Sequence, residues 1–173
     1  EGKIAEASTG TVYRAKRILL GDKVAVKVLR PELVRDPMAV ERQISFMLSI
    51  QDPMPPLMGD PDRLRLVFFH LIQNALLHAF DGARGGTMRL SAVRADPERV
   101  RIEFEDDGQG IARDALARVF EPFFTTRRAQ GGSGLGLHIV YHLVTVKLGG
   151  RIEAHGEPGA GMRFVLLLPL RAP

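Results

Sequence analysis

VRIEFEDDGQGI, residues 100–111, is the stretch that decides the fold. Its first seven residues alternate, placing Val100, Ile102, Phe104 and Asp106 on one face of a strand and Arg101, Glu103 and Glu105 on the other. Apolar side chains leave water for the interior, so the face that carries them is the buried one. Asp106 then ends a core-facing row as a carboxylate. A buried carboxylate needs hydrogen-bond donors to offset its desolvation, and the exocyclic amine of adenine is such a donor. Gly108 and Gly110 follow at once, and glycine lets the backbone approach a ligand closely. The same residues also read as a plain turn cap, so the motif alone leaves both readings open.

The hydrophobic period extends the reading in both directions. Thr87–Val93 is a second strand, joined to Arg99–Asp106 by a turn at Ala95-Asp96-Pro97. Upstream, Asp60 as N-cap and Pro61 in the first turn open a helix to about Phe80, before Gly82, with Leu64, Phe68, Leu71, Ala75 and Ala79 as its core face. Downstream, a short helix is predicted over Arg113–Phe120. A glycine-rich loop, 131–136, then leads into a helix that Gly149-Gly150 stops near Leu148. A hairpin of 151–155 and 162–169 turns through EPGAG. Nearer the start, 11–17 and 23–29 alternate as strands around Gly21-Asp22, Pro31–Arg42 reads as a short helical segment, and Ile44–Ile50 is a strand closed by DPMPP. Helix, two strands, two helices, two strands predicts an α/β two-layer sandwich, with helices on one face of a mixed, mostly antiparallel sheet.

Composition narrows the function. The 173 residues contain no cysteine, which excludes disulfides and thiolate metal sites. A chain of this length buries roughly two thirds of its unfolded surface and needs no such staple. Lys+Arg exceed Asp+Glu by 9 to 6 in residues 1–42 and by 15 to 14 in residues 43–173, and Tyr13 is the sole aromatic of the first stretch. Nucleic acid is therefore not an expected partner. No apolar run approaches the roughly 20 residues that span a bilayer, so no membrane contact is expected of this domain. A chain that opens at Glu1 rather than Met is expected to be cut from something longer. A cytoplasmic location is the expectation, with any membrane anchor elsewhere in the parent.

The cluster Gly131-Gly132-Ser133-Gly134-Leu135-Gly136-Leu137 runs straight into a helix. Successive backbone amides and the positive end of the helix dipole make an anion site there. It is no Walker loop, lacking Gly-Lys-Ser/Thr, and its glycine spacing is not the dinucleotide fingerprint. A flexible loop is the alternative. His70, Asn74 and His78 recur every four residues and form one stripe beside the apolar face of their helix. An amide there suits Mg²⁺ that also carries substrate phosphates, although a solvated face has the same pattern. His138 and His142 have the spacing of two zinc ligands, but no Glu follows His138 and no third ligand is evident, so zinc is not expected.

Taken in order, the segments GDPDRLRLVFFHLIQNALLHA (59–79), DDGQGI (106–111), VFEPFFTTR (119–127), GGSGLGLHIV (131–140) and LGGRIEAHGEPGAGMRFVLLLP (148–169) resemble the N, G1, F and G2 boxes and closing hairpin of the catalytic ATP-binding domain of two-component sensor histidine kinases. The resemblance covers about residues 43–170. It implies the Bergerat-type (GHKL ATPase) sandwich with ATP under a lid, Mg²⁺ as cofactor, and transfer of the γ-phosphoryl group to a histidine on a separate helical dimerisation domain. From there a response regulator receiver domain is served indirectly.

Residue by residue, the resemblance implies that Asp106 accepts the adenine amine and that Asn74 coordinates Mg²⁺ and is catalytic. Gly108 and Gly110 line the base pocket, Gly132, Gly134 and Gly136 embrace the phosphates, and Ile111, Ser133, Leu135 and Leu137 belong to the ATP-binding set. Thr126 joins the ATP-binding set, and Arg127, or its neighbour Arg128, meets the γ-phosphate. Phe120, Phe123 and Phe124 support the lid, with plain core packing as the other reading; Phe120 is also counted in the ATP-binding set. His78 lies near the phosphates. His70 occupies a position more often Asn, which leaves its role open. An anti-sigma-factor type protein-serine kinase on the same fold and a non-catalytic nucleotide-binding scaffold are the rival readings.

GKIAEASTGTVYRAKRILLGDKVAVKVLRPE (2–32) resembles a different enzyme, the opening of a bacterial Ser/Thr protein kinase, with Lys27 at the phosphate-contacting lysine. Its loop reads Ala5-x-Ala7-x-x-Gly10 where that family has three glycines, and no His-Arg-Asp or Asp-Phe-Gly follows anywhere. Ser/Thr kinase activity is therefore not expected. Residues 1–42 are read as a borrowed scaffold and 43–173 as the ATP-binding domain.

Overall fold

The alternating row at 100–106 becomes an interior strand of one eight-stranded sheet in a computed structural model. The structure describes residues 3–7, 10–16, 23–29, 44–80, 85–128 and 132–172, the first three stretches as backbone. The turn at Gly21-Asp22, the helical segment Pro31–Arg42, Gly82 and Gly131 lie outside them. Among the described residues eight strands run β1 (Lys3–Ala7), β2 (Gly10–Lys16), β3 (Lys23–Leu29), β4 (Ile44–Gln51), β5 (Gly86–Arg94), β6 (Arg99–Asp106), β7 (Arg151–Gly156) and β8 (Met162–Pro169). Their order across the sheet is β1-β2-β3-β4-β5-β6-β8-β7. Every neighbouring pair is antiparallel except β4 and β5. That parallel pair needs a crossover connection, and the long helix α1 (Pro61–Asn74) supplies it. The predicted α/β sandwich with a mixed, mostly antiparallel sheet is the architecture found. β1 was not expected, since the small residues of KIAEA carry little strand pattern.

The start of α1 follows the sequence closely. Asp60 Oδ1 accepts a hydrogen bond from the Asp62 amide at 2.9 Å, and Pro61, which has no amide to satisfy, takes the first helical position. Its end differs from the single helix predicted to Phe80, because the α-helical bonding stops at Asn74 and a wider π turn covers Ala75–Ala79. The helix after the glycine loop, α3 (Gly136–His142), widens in the same way over Leu143–Lys147. Arg63 fastens the two together: its Nη1 donates to the Lys147 carbonyl at 3.1 Å while its Nε pairs with Asp60 at 3.1 Å. The helix predicted over Arg113–Phe120 narrows to α2 (Arg113–Leu116). Beyond it the chain takes three-residue turns, such as Glu121 N to Arg118 O at 2.9 Å, that bring Val119 into the interior and Phe120 against Phe164.

The core lies between these helices and the sheet. Direct cross-strand partners share a face, so the pairs Val100–Leu168, Ile102–Leu166 and Phe104–Phe164 make one apolar surface. Val67, Leu71, Ala75 and Leu76 from α1 and its π turn, and Val140 and Val144 from α3 and its π turn, are buried with it. Each such large side chain contributes about 1.5 to 3 kcal/mol. Of the predicted α1 core face, Leu71, Ala75 and Ala79 are buried and Leu64 and Phe68 only partly so, with Val67 and Leu76 completing the stripe. At the end of the apolar row, Asp106 is the register partner of Met88 on β5 and Met162 on β8. The packing of the sheet therefore fixes where that carboxylate stands.

Candidate functional site

A cavity of about 350 Å³ opens beside the end of that row. α1 and its π turn supply His70, Asn74 and His78, so the stripe at fourfold spacing does converge on one space. The strand end and the loop after it supply Asp106, Gly110 and Ile111. Facing them are Thr126 and the run Gly132, Ser133, Gly134, Leu135, Gly136 and Leu137.

Asp106 is 4% exposed. Its Oδ1 accepts from the Gly108 amide at 3.1 Å and from the Met162 amide at 3.3 Å, whereas its Oδ2 is buried with no hydrogen-bond partner. Burial pushes its pKa up to about 6, against the two amides, with Asp107 adding a smaller upward push. An unpaired carboxylate oxygen in a cavity wall is costly and is ready to accept from a ligand donor. Burial holds the His70 imidazole below its ordinary pKa, so it favours the neutral form. His78 Nδ1 and Thr126 Oγ1 lie 3.5 Å apart across the cavity.

Glycines shape the walls where a side chain has no room. Gly110 has φ +66°, and a Cβ there would lie 1.9 Å from the Glu157 carbonyl oxygen. Gly134 has φ +68° and packs on the backbone of Phe123 and Phe124, so the glycine loop rests directly on the segment before it. The loop is closed by the Gly132 amide donating to the Arg127 carbonyl at 3.0 Å, and the Arg127 amide in turn donates to Thr125 Oγ1 at 3.0 Å.

Of the remaining predicted residues, Gly108, Phe120, Phe123, Arg127 and Arg128 lie outside the cavity lining. Gly108 sits against Ala79, where a Cβ would come within 2.5 Å of the backbone oxygen. Phe120 packs its ring on Phe164 and Tyr141 at 6.5 and 5.4 Å between centroids, and its carbonyl is 3.1 Å from His138 Nδ1. Phe123 is exposed with φ +64°, and Arg128 donates to its carbonyl at 2.9 Å. Phe124 does line the cavity and carries the Arg118 guanidinium 4.5 Å above its ring. Arg127 is not among the lining residues. His138 and His142 do not form part of a metal cluster; no group of three or more His, Cys, Asp or Glu suited to a metal occurs among the described residues.

Sequence reasoning missed several lining residues. Gln73, Leu77, Gln109, Val119, Thr125, Ile139 and Met162 all face the cavity. Leu77 had a visible signal, an apolar residue off the core stripe one turn beyond Asn74, and it is exposed. Gln109 also ties the site together, its side chain donating to the His78 carbonyl, its amide to Ala79 O at 3.0 Å, and its carbonyl accepting from Gly159 at 2.7 Å. Met162 had no local signal, because its amide reaches Asp106 from 56 residues away.

No helix among the described residues is long and apolar enough to cross a membrane. The first part of the chain, residues 1–72, matches the ABC1 atypical kinase-like domain. A chain of known structure, full-length ShkA in complex with AMPPNP, is 33% identical with a TM-score of 0.68, over 82% of this chain and 28% of that one. The mycobacterial sensor histidine kinase MprB is 27% identical with a TM-score of 0.64, over 82% of this chain and 90% of that one. The alginate biosynthesis sensor protein KinB of Pseudomonas aeruginosa is 38% identical over 134 residues, 78% of this chain and 22% of that protein. The chain thus spans only about a fifth of that relative. The family described as Histidine kinase-, DNA gyrase B-, and HSP90-like ATPase matches residues 59–172, which include the whole of the cavity lining. The chain belongs to that family.

Proposed function

We propose that this chain is the ATP-binding catalytic module of a sensor histidine kinase, which binds ATP with Mg²⁺ and presents the γ-phosphoryl group to a histidine on a separate helical domain. One observation carries the reading most: the buried, unpartnered Oδ2 of Asp106 in a cavity whose other wall is a glycine loop opening a helix. The first is an acceptor suited to the adenine amine. The second is a row of amides suited to phosphate. In this reading Asp106 orients the base, Gly110 and Ile111 border it, and Gly132–Leu137 hold the phosphates. Thr126 and His78 close over the middle of the nucleotide. Arg127, or its neighbour Arg128, would reach the γ-phosphate from the segment before the glycine loop, from outside the cavity lining.

Mg²⁺ fits the donor set. Asn74 offers a neutral amide oxygen beside His70 in the cavity. With no acidic cluster among the described residues to cage an ion, the metal would take its remaining ligands from phosphate oxygens and water. When bound, it would neutralise charge on the phosphates. The chain itself binds, orients and excludes water; the phospho-acceptor histidine and a receiver domain belong to partners in a cytoplasmic signalling pathway. None of His70, His78, His138, His142 and His155 stands in a Glu-flanked helical box that would make it the acceptor.

The test is to supply ATP-Mg and a helical histidine-bearing domain from a sensor kinase and assay the phosphorylated product in acid. Acid-labile label on the supplied domain is the expected result. Acid-stable label would point to a serine kinase, and ATP binding with no transfer to any supplied domain would point to a scaffold.

A further inference from the structure

The two oxygens of the Asp106 carboxyl are not equivalent. Oδ1 is engaged by two N–H donors, from Gly108 and Met162, and can only accept from them. Oδ2 has no partner. A proton taken up by this carboxyl therefore sits on Oδ2, since on Oδ1 it would face two donors. We infer that the proton on Asp106 Oδ2 selects the purine: without it, Oδ2 accepts from the 6-amino group of an adenine nucleotide, and with it, Oδ2 donates to the 6-oxo group of a hypoxanthine nucleotide. This rests on the nucleotide reading given above and extends the ligand class to 6-oxopurine nucleotides in mildly acidic conditions.

The surroundings keep both states within reach. Burial raises the Asp106 pKa to about 6, and Asp107, held by the Thr87 amide at 2.7 Å, pushes it further the same way. On the cavity side, α1 and its π turn face Asp106 with His70 and His78. The lowered pKa of His70 limits the positive charge that this wall gains as the pH falls. On the opposite side Asp106 also borders an open groove of about 770 Å³. That groove is charged in both senses, by Arg89 of β5, Arg163 of β8 and Arg113 of α2, and by Glu105 beside Asp106 and Glu157 in the hairpin turn, with His155 of β7 at its edge.

The test is competitive binding of ATP and ITP to the full 173-residue chain at about pH 5 and about pH 8. The two nucleotides carry the same triphosphate, so its titration cancels in their affinity ratio. The preference for ATP at the higher pH should fall on the order of tenfold or more at the lower. Asp106→Asn, with its amide nitrogen in the place of Oδ2, should prefer ITP at both pH values. A ratio unchanged between the two in the parent, or an Asp106→Asn variant that still prefers ATP, would overturn the inference. The parent series decides on its own if the variant does not fold. If neither nucleotide binds at either pH, the nucleotide reading itself fails; if ATP binds with an unchanged ratio, only the purine switch does.

Discussion

The Met162 amide donates to Asp106 Oδ1 at 3.3 Å, and the two residues are direct register partners on β8 and β6. The same pairing that buries Phe104 on Phe164 therefore also aims the carboxylate. One oxygen is spent on holding the group still, which leaves the other unpaired. The fold carries this cost itself when no ligand is present.

That cost gives a stability prediction with a definite sign. The Asp106 pKa is raised from 3.8 to about 6 in the folded chain, so the native state binds this proton more tightly than the unfolded one. Its contribution to stability is intact below the unfolded value and is lost as the pH rises through about 6. The loss is bounded by about 3 kcal/mol. In urea denaturation without nucleotide, the parent should lose stability relative to Asp106→Asn between about pH 4 and about pH 8. A gap between the two proteins that does not change with pH would show that Asp106 ionises freely.

Two glycines in one turn separate backbone strain from collision. Gly159 and Gly161 have φ of +79° and +76°, so alanine at either is strained. A Cβ on Gly159 meets nothing within 4 Å, whereas one on Gly161 would lie 1.9 Å from the Asp106 carbonyl oxygen. Gly159→Ala should cost about 1 kcal/mol. Gly161→Ala should cost more than about 3 kcal/mol and disturb the Asp106 site as well. Equal losses in thermal or urea unfolding would mean that the turn moves freely away from β6.

Asn74→Ala should separate metal dependence from nucleotide recognition. Asn74 and Asp106 line the same cavity from different elements, so base contacts should persist while the gain in affinity on adding Mg²⁺ shrinks. Equal Mg²⁺ responses in calorimetry would make Asn74 a wall residue only.

Most of the frame was legible because local pattern and tertiary packing agree in it. The alternation at 100–106, the Asp60-Pro61 start and the EPGAG turn each specify their element from neighbouring residues alone. The ends of the helices were not legible. The π turn at Ala75–Ala79 is made of ordinary helix residues and that at Leu143–Lys147 holds the β-branched Val144, Thr145 and Val146, so no shared composition marks the change to bonding over five residues. The stripe His70, Asn74 and His78 follows from helix spacing, whereas its meeting with the glycine loop in one cavity was an expectation of the family resemblance. What escaped was contact between segments far apart in the chain, Met162 on Asp106 and Gly161 beneath it, whereas the Phe120 ring on Phe164 fits the core-packing reading of that residue.

Calorimetric titration of ATP into the parent and Asp106→Asn near pH 8 tests the central claim most directly. A hydrogen bond to a charged acceptor is worth about 1.5 to 3 kcal/mol. Binding at one site in the parent, with affinity lowered about tenfold to a hundredfold in the folded variant, is the predicted result. Equal affinity in the two proteins would contradict the assignment of Asp106 to the base.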